Sequence, residues 1–339
     1  MTLPETSGLQ FTPDLRICRI LNGMWQVSGA HGSIDPAAAI QNMVAYHDAG
    51  YTTWDLADHY GPAEDFVGQF RRTLAFWRGA EALSEVQAFT KWVPRPGTMT
   101  RRLVYDNVAR SYRRMGVETL DLLQFHWWDY ADSNYLNALT YLSQLQQEGR
   151  IAHLGLTNFD TEHLKRIVDH GIRVVSNQVQ YSLIDRRPDV QMIEFCRESG
   201  IQLLAYGTLC GGLLSEKYLE QPQPRGSALN TASLSKYAQM VEAWGGWALF
   251  QELLVVLKGI SDKHGVSIGN VAVRYVMDRP AVAGVILGTR LGLSDHREEN
   301  ERVFGLVLEE ADLEQIEVIE RRSRDLYRLI GDCGDEYRG

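Results

Sequence analysis

Four residues in the first half of the chain carry side chains that suit acid–base chemistry: Asp55, Tyr60, Lys91 and His126. A buried lysine requires a counter-charge, and Asp55 is the candidate for it. A tyrosine beside the lysine ammonium group would have its pKa lowered from about 10 toward working pH, which makes Tyr60 a candidate general acid. His126 can donate a hydrogen bond to a substrate oxygen. The set suits the protonation of a carbonyl oxygen while another molecule delivers hydride.

Taken one at a time, these residues have simpler explanations. Asp55 could be a helix cap, Lys91 a surface lysine with a buried stem, and His126 a hydrogen-bonded core histidine. Asp55, Lys91 and His126 nevertheless share one position, because each directly follows a short apolar segment. Similar polar residues end, interrupt or follow the later apolar segments, namely Thr157, Asn158, Gln178 and Tyr206. This shared position favours one site built at the ends of strands.

The apolar segments alternate with helical patterns along the chain. A glycine often separates a helical pattern from the next apolar segment, as at Gly50, Gly116 and Gly200, where it can adopt the left-handed conformation that ends a helix. Asp35-Pro36 is typical of a helix start. Segments that are apolar on both faces indicate buried parallel strands. We predict strands at Ile20–Met24, Thr52–Trp54, Ala88–Thr90, Leu120–Phe125, Ile151–Leu156, Val174–Val179, Gln202–Ala205 and Val282–Leu287.

Strands that alternate with helices in this number predict a (β/α)8 TIM barrel, an α/β fold whose active site lies at the carboxyl ends of the strands. A doubly wound sheet is the competing fold, but the sequence contains no GxGxxG motif. We predict a single domain over residues 1–339. It comprises an N-terminal segment (1–18), the barrel (19–307) and a C-terminal helix and tail (308–339). A long loop is expected after the seventh strand, from Ser215 to about Trp247.

The composition excludes several classes of protein. The 339 residues include 34 basic and 43 acidic ones, and the net charge of −9 argues against broad binding of nucleic acid or anionic lipid. The 4 cysteines form no CxxC motif or Cys/His cluster, so we expect a reducing compartment without a disulfide framework or a metal site. No signal peptide and no apolar run of membrane-spanning length is present. We therefore expect a cytoplasmic protein without membrane contact.

The sequence resembles the aldo-keto reductase family from roughly Arg19 to Val307. The segment 54–64 is similar to the family's Asp…Tyr-Gly…Glu signature, with Leu56 where Thr or Ser is usual. Thr90-Lys91-Trp92 resembles the lysine strand, and the segment 121–126 is similar to the histidine strand. The resemblance implies a nicotinamide-dependent carbonyl reductase on a (β/α)8 barrel. The catalytic tetrad that it implies consists of Asp55, Tyr60, Lys91 and His126.

The resemblance also implies a cofactor site for NADPH. The segment 155–159, Gly-Leu-Thr-Asn-Phe, looks like the family segment whose Ser and Asn hold the nicotinamide carboxamide. Gln178 would also contact this carboxamide, and Tyr206 would stack against the nicotinamide ring. A 2′-phosphate would pair with Arg290, which favours NADPH over NADH. Gly288 and Asn300 lie further apart in the sequence than in the common family pattern. This departure affects the role that the resemblance implies for His296 most, and the role of Arg290 less. The remaining implied cofactor residues are Gly23, Met24, Trp25, Asp55, Gly207, Thr208, Leu209, Cys210, Gly211, Gly212, Leu213, Gly288, Thr289, His296, Glu299 and Asn300.

Alternatives remain for parts of this site and for the protein as a whole. Cys210-Gly211-Gly212 could be a plain turn, and Arg290 a solvated surface residue. Tryptophans at strand ends predict a pocket for an apolar or aromatic aldehyde or ketone, and the tail from Arg321 is a candidate cover for it. The competing functions are a nicotinamide-binding sensor or channel-associated subunit of the same fold, and another barrel enzyme such as an isomerase or metal-dependent hydrolase. The tryptophans expected to line the pocket are Trp25, Trp92 and Trp127.

Overall fold

The architecture is a closed barrel of eight parallel strands with helices between them. The computed structural model describes residues 3–29 and 34–338, so the outermost residues of the predicted N-terminal segment and tail lie outside the described residues. The barrel confirms the fold predicted from the sequence. Its neighbouring strands are β10-β3-β4-β5-β6-β7-β8-β9, and β10 pairs with β3 to close it. The strands are β1 Gly8–Thr12, β2 Leu15–Cys18, β3 Ile20–Gly23, β4 Thr53–Asp55, β5 Gln87–Trp92, β6 Leu120–His126, β7 Ile151–Thr157, β8 Ser176–Gln180, β9 Gln202–Tyr206 and β10 Val282–Gly288.

Helices connect the strands of the barrel, and further helices lie between β9 and β10 and after β10. Short 3-10 helices lie at Glu5–Ser7, Trp25–Ser28, Ala80–Glu85, Arg187–Asp189, Cys210–Gly212, Glu216–Tyr218, Gly226–Ala228 and Asp335–Tyr337. The α-helices are α1 Pro36–Asp48, α2 Ala63–Arg78, α3 Arg101–Met115, α4 Asn134–Gln147, α5 Thr161–Asp169, α6 Met192–Ser199, α7 Ala232–Trp244, α8 Gly246–His264, α9 Ile268–Met277, α10 Arg297–Gly305, α11 Glu310–Glu320 and α12 Leu326–Ile330.

Local sequence signals explain where several of these helices begin and end. Asp35 caps α1, where its carboxylate accepts hydrogen bonds from the amides of Ala37 and Ala38, and Pro36 occupies the first turn. Gly116 ends α3 in the left-handed region at a φ of 66°, a conformation that a side chain at this position would oppose. These signals confirm the helix boundaries expected from the sequence at both positions.

The N-terminal segment forms an antiparallel hairpin, β1 with β2, that closes one end of the barrel. Phe11 and Ile17 of the hairpin pack in a separate apolar cluster with barrel residues from the amino ends of the strands. Phe11 lies 5.8 Å from Phe89, measured between ring centroids. The hairpin therefore seals the amino end of the barrel and leaves the carboxyl end for the site.

The long connection after β9 contains more regular structure than the sequence suggested. The region 215–247 was expected to be a loop, but it includes 3-10 turns and the helix α7. The Thr231 side chain caps α7 by accepting from the amide of Leu234. Leu234, Val241 and Trp244 are buried, so packing of one face explains why this polar-looking segment becomes a helix.

Across 3–29 and 34–338, no single helix has both the length and the apolarity to cross a membrane. The bent pair α7 and α8, whose axes differ by 97°, meets those criteria only when the two helices are combined.

Candidate active site

Asp55 and Lys91 form a buried ion pair at the carboxyl ends of β4 and β5. The distance between Asp55 Oδ2 and Lys91 Nζ is 2.6 Å, and Nζ also donates to the carbonyl of Leu56 over 3.0 Å. The parallel register pairs Asp55 with Phe89, so Lys91, two residues further along, faces the same side of the sheet. Burial lowers the pKa of Lys91, and the neighbouring Asp55 carboxylate opposes that shift. The pairing expected from the sequence is present.

The second oxygen of Asp55 is held by two amides that come from distant strands. Gln124 Nε2 donates to Asp55 Oδ1 over 3.0 Å, and Gln178 Nε2 donates to the same atom over 2.7 Å. Gln178 Nε2 also donates to Gln124 Oε1 over 2.7 Å. Sequence reasoning missed Gln124, which lies inside β6 rather than at its end. The amide nitrogen of Gln178 is already engaged, so only its carbonyl oxygen is left for a nicotinamide carboxamide.

Tyr60 lies in the connection after β4, with its ring beside Lys91. Lys91 Nζ is 5.2 Å from the centroid of the Tyr60 ring, and Trp25 contacts that ring edge-on at 5.0 Å. Burial and the carboxylate of Asp55 raise the pKa of Tyr60 well above 10. The sequence argument expected a lowered value, and it is wrong for this arrangement. The reason is that burial of the phenol and the nearby carboxylate of Asp55 dominate, while Lys91 Nζ donates its hydrogen bonds to Asp55 and Leu56.

His126 ends β6 as a neutral imidazole. Burial is the main cause that lowers its pKa to about 3, and the neighbouring Arg338, His59 and Lys91 contribute to the same shift. Its Nδ1 lies 3.5 Å from Asn158 Nδ2. Its Nε2 is buried and meets no hydrogen-bond partner within residues 3–29 and 34–338. This unsatisfied nitrogen is the atom that remains for a ligand.

The residues expected to hold the nicotinamide lie together at the carboxyl ends of β7, β8 and β9. Thr157 Oγ1 is buried without a hydrogen-bond partner in the described part of the chain. Asn158 has a positive φ of 57°, and its Oδ1 accepts from the hydroxyl of Tyr206 over 2.8 Å. An orphaned hydroxyl next to side-chain amides fits a carboxamide, which both donates and accepts hydrogen bonds. The donor set of this site therefore fits a nicotinamide group.

The loop after β9 is a compact turn with several residues in the left-handed region, including Gly207, Cys210, Gly211 and Gly212. The sequence suggested free backbone amides for a pyrophosphate. The amides of Cys210 and Gly212, and that of the next residue Leu213, instead donate to carbonyls within the turn. The Tyr237 ring of α7 lies so close that a Cβ on Gly207 would be 2.2 Å from its hydroxyl oxygen. Some of the backbone amides expected to bind the pyrophosphate are therefore already hydrogen-bonded within the turn.

The segments expected to bind the adenosine half lie beside the closure of the barrel. Thr289 donates through both its amide and its hydroxyl to the carbonyl of Gly23, over 2.9 Å in each case. The exposed Arg290 side chain makes no ion pair within the described ranges. His296 instead faces Glu299, with 3.5 Å between Nδ1 and Oε2. His296 and Asn300 lie at the start of α10, whose first amides point toward this region.

The tryptophans divide between the core and the site. Trp25 contacts Tyr60 as expected for a pocket wall. Trp127 is fully buried, and its indole N–H donates to the carbonyls of Asp129 and Asp132. Trp92 is also buried, against Phe125 at 5.5 Å. Trp127 is therefore a core residue and not the pocket wall that the sequence suggested. Its neighbour Trp128 is 41% exposed and lies 4.3 Å from His126 between ring centroids, so it is the better candidate for that wall.

Two further residues at the site, Gln26 and Lys236, had no signal in the sequence, whereas a third, Tyr337, belongs to the tail from Arg321 that was a candidate cover. Gln26 lies against Gly288, where a Cβ would be 1.9 Å from Gln26 Nε2, and its Oε1 is buried without a partner in the described chain. Lys236 of α7 donates to the hydroxyl of Tyr337 and lies 5.4 Å from the centroid of the Tyr206 ring. Tyr337 reaches the site from the C-terminal tail. No cluster of metal-ligating side chains occurs among the residues that the structure describes.

Comparison with known proteins decides the family. The model of the Aldo/keto reductase family matches residues 19–321. The chain belongs to the aldo/keto reductase family. Enzymes of this family are oxidoreductases of carbonyl or alcohol groups in small molecules and use a nicotinamide cofactor. The resemblance drawn from the four tetrad residues and their strands is confirmed at this level.

Two relatives show how far sequence similarity extends. Flagellar radial spoke protein 5 of Chlamydomonas reinhardtii is 37% identical over 180 residues, which are 48% of this chain and 34% of that protein. The chain thus spans about a third of that relative. The NADH-specific methylglyoxal reductase of Escherichia coli strain K12 is 24% identical over 258 residues, 69% of this chain and 78% of the relative.

Solved structures agree with the barrel. A glycerol dehydrogenase from Gluconobacter oxydans superposes with a TM-score of 0.72 at 22% identity, covering 97% of this chain and 98% of the other. The thermostable aldo-keto reductase Tm1743 superposes with a TM-score of 0.69 at 20% identity, covering 95% and 100%. At these identities the similarity establishes the fold.

Proposed function

We propose that this protein reduces the carbonyl group of an aldehyde or ketone to an alcohol, with NADPH as the reductant. The observation that carries the proposal is the buried Asp55–Lys91 pair, 2.6 Å apart, directly beside the ring of Tyr60. The neutral imidazole of His126 provides a further hydrogen-bonding group at the ends of the strands. This combination serves proton donation to an oxygen and the stabilisation of the charge that results.

Tyr60 acts as the general acid. Its raised pKa keeps the phenol protonated at neutral pH, so the proton is available when an alkoxide forms. After the transfer, the phenolate is stabilised by the Lys91 ammonium group, 5.2 Å from the ring centroid. Asp55 holds that ammonium group in place, and Gln124 and Gln178 hold Asp55. His126, uncharged, orients the substrate oxygen through its free Nε2.

Thr157, Asn158 and Gln178 would bind the carboxamide of the cofactor, and Tyr206 would support its ring. When bound, the reduced nicotinamide supplies hydride to the carbonyl carbon. The turn 207–213 would contact the pyrophosphate, and the start of α10 with Glu299 and Asn300 would contact the adenosine. Arg290, whose guanidinium is exposed and without an ion pair in the described chain, would bind a 2′-phosphate.

Trp25 and Trp128 are the proposed walls of the substrate site, since both lie against the acid or the histidine. Indole rings favour apolar or aromatic substrates. We therefore expect an apolar or aromatic aldehyde or ketone to react faster than a small polar one. The cytoplasmic location and the single-domain organisation stay predictions.

The general acid is tested by following NADPH absorbance with a panel of aldehydes and ketones for wild type and Tyr60→Phe. We expect kcat to fall by roughly 10²–10⁴-fold in the variant, because the phenol proton is lost while the ring remains. NADPH binding, measured by quenching of tryptophan fluorescence, should be retained. Tyr105→Phe, which changes a tyrosine on the outer helix α3, is the matched control. Normal turnover by Tyr60→Phe would remove Tyr60 from the mechanism.

The choice of nicotinamide is tested with Arg290→Ala. We expect the Kd for NADPH to rise by about tenfold or more, since a charge-assisted pair with the 2′-phosphate is worth about 1.5–3 kcal/mol. The Kd for NADH should not change, because NADH lacks that phosphate. Arg102→Ala on α3, where the side chain is 93% exposed, is the control. Equal effects on both cofactors, or none, would contradict a preference for NADPH through Arg290.

The sensor or channel-associated subunit of the same fold is distinguished by the same measurements. Such a protein would bind NADPH without appreciable turnover of any carbonyl in the panel. The buried Asp55–Lys91 pair beside Tyr60 favours the enzyme, because cofactor binding alone does not require a proton donor next to a buried ammonium group.

A further inference from the structure

The C-terminal tail crosses the carboxyl end of the barrel and is firmly attached in its first part. Asp332 Oδ2 accepts from the amide of Thr161 over 2.8 Å. Arg187, fully buried, donates to the carbonyl of Asp332 over 3.0 Å and to Glu336 Oε2 over 2.9 Å. Arg187 is itself held by both oxygens of Asp185, at 2.8 Å each. Residues 332–336 therefore form the anchor of the tail.

The tip of the tail, Tyr337 and Arg338, enters the candidate active site. The Tyr337 hydroxyl lies 3.1 Å from that of Tyr206 and accepts a hydrogen bond from Lys236. Its ring lies 6.4 Å from His126 between centroids, in an edge-on arrangement. Arg338 NH2 donates to the carbonyl of Trp127 over 2.7 Å.

The tip engages the groups that the proposed function assigns to the nicotinamide. Tyr206, in contact with Tyr337, donates its hydroxyl proton to Asn158 Oδ1, so that amide oxygen is occupied. Gly334 passes so close to the same residue that a Cβ would be 2.1 Å from the carbonyl oxygen of Asn158. His126 Nε2 is shielded from solvent without gaining a partner in the described chain. In this arrangement neither a nicotinamide nor a carbonyl oxygen can reach these groups.

The tip is also the least satisfied part of the tail. Arg338 Nε and NH1 are buried without hydrogen-bond partners among the described residues. A buried donor without a partner is destabilising, because it has lost its hydrogen bonds to water. The anchor is held by more hydrogen bonds, with Arg187 bonded to Asp332 and Glu336 and Thr161 bonded to Asp332, although Glu336 Oε1 is also unpaired among the described residues. A rearrangement confined to residues 337 and 338 would remove the contacts of Tyr337 with Tyr206 and His126 and would release the unpaired donors of Arg338 to water, with the anchor unchanged.

We propose that Tyr337 and Arg338 form an intramolecular gate that closes the nicotinamide and carbonyl site and that cofactor binding must displace. The inference rests on the proposed function, because it assumes that Asn158 and Tyr206 hold the nicotinamide. The gate lowers the apparent affinity for cofactor by the fraction of molecules that are open. Variants with a weakened gate should therefore bind cofactor more tightly.

The test measures the Kd of NADPH and of NADH for wild type, Tyr337→Ala and Arg338→Ala by tryptophan fluorescence. We expect a Kd about three- to tenfold lower for both variants, with the gain in the association rate. The same tail offers a matched Tyr-Arg pair outside the site: Tyr327 accepts from Gln191, and the Arg328 side chain is 86% exposed. Tyr327→Ala and Arg328→Ala should bind like wild type. The measurement does not depend on turnover.

Each outcome has a defined consequence. Unchanged or weaker cofactor binding by Tyr337→Ala and Arg338→Ala, with a wild type that binds, overturns the gate and leaves the proposed function intact. Absence of binding by wild type and all variants overturns both. Binding by the gate variants but not by wild type supports both. Tighter binding by the Tyr327 and Arg328 variants as well would assign the effect to general loosening of the tail and would overturn a gate at the tip.

Discussion

At the scale of single residues, Asp55 is the carboxylate on which the arrangement of the tetrad depends. One oxygen accepts from Lys91 and the other from Gln124 and Gln178, so its lone pairs are directed toward three different strands. A buried charge is tolerated only when it is paired and hydrogen-bonded in this way. The position of Lys91 beside Tyr60 is therefore a consequence of the whole network.

His126 provides a prediction about pH at the same scale. Its pKa is lowered by burial to about 3 in the folded protein, against 6.5 as its ordinary value. Between these values the unfolded chain binds a proton that the folded chain does not, so the free energy of unfolding falls as pH decreases below 6.5. We expect wild type to lose up to about 1.4 kcal/mol per pH unit in this window relative to His126→Gln.

Urea denaturation of both proteins between pH 7 and 5 would measure this difference. NMR of the His126 ring should show no titration over the same range, and His126→Gln assigns the resonance. A resonance that titrates near pH 6.5 would contradict a neutral, buried imidazole.

At the scale of elements, the strands and the N-terminal hairpin have separate roles. The carboxyl ends of β4 to β9 bring the tetrad and the proposed nicotinamide residues together, whereas β1 and β2 seal the opposite end. Phe11 of the hairpin is buried against Phe89 and Leu122 in that lower cluster. Stability and chemistry are therefore located at opposite ends of the same barrel.

This separation predicts the effect of Phe11→Ala. We expect the free energy of unfolding to fall by about 3–5 kcal/mol, because a buried aromatic ring is removed and a cavity remains. The kcat for carbonyl reduction should stay within about twofold at a temperature where the variant is folded, since the tetrad lies at the other end. Phe76→Ala, at a phenylalanine that is 85% exposed, is the control and should cost less than about 0.5 kcal/mol. An equal loss of unfolding free energy in Phe11→Ala and Phe76→Ala would show that the packing of the hairpin does not stabilise the barrel.

At the scale of the whole molecule, the proposed cofactor site draws on nearly every part of the barrel. Its residues come from the ends of β3, β7, β8, β9 and β10, and from the start of α10. A ligand that contacts all of these segments can bind only when the barrel is closed. Binding should therefore be coupled to global unfolding rather than to the stability of one element.

Thermal unfolding with and without NADPH tests this coupling. At about 100 times its Kd, NADPH should raise the free energy of unfolding by about 2.7 kcal/mol. The midpoint should rise with cofactor concentration while unfolding stays a single transition. ATP, which is also an anion with an adenosine group, is the control for general anion effects. Equal stabilisation by ATP would indicate that the nicotinamide half contributes nothing.

Sequence reasoning located the tetrad because each member lies at a strand end or close after one, where a change from apolar to polar residues is visible in one dimension. Gln124 was missed because it lies inside a strand and meets a residue 69 positions earlier. The direction of the Tyr60 pKa shift was misjudged because it depends first on how deeply the phenol is buried and then on the nearby carboxylate of Asp55, and neither is visible in the sequence. Trp127 and Trp128 are adjacent, and only burial separates the core residue from the surface residue.

The sequence by itself determined the barrel and the family and singled out Asp55, Tyr60, Lys91 and His126 as the proposed tetrad, because apolar segments, helix caps and strand-end polarity are local signals. Only the tertiary structure decided the network around Asp55, the neutral state of His126 and the entry of Tyr337 into the site. Tyr337 is 131 residues from Tyr206 along the chain, yet their hydroxyls lie 3.1 Å apart. Contacts of this kind depend on how the closed barrel directs the tail, and no local pattern encodes them.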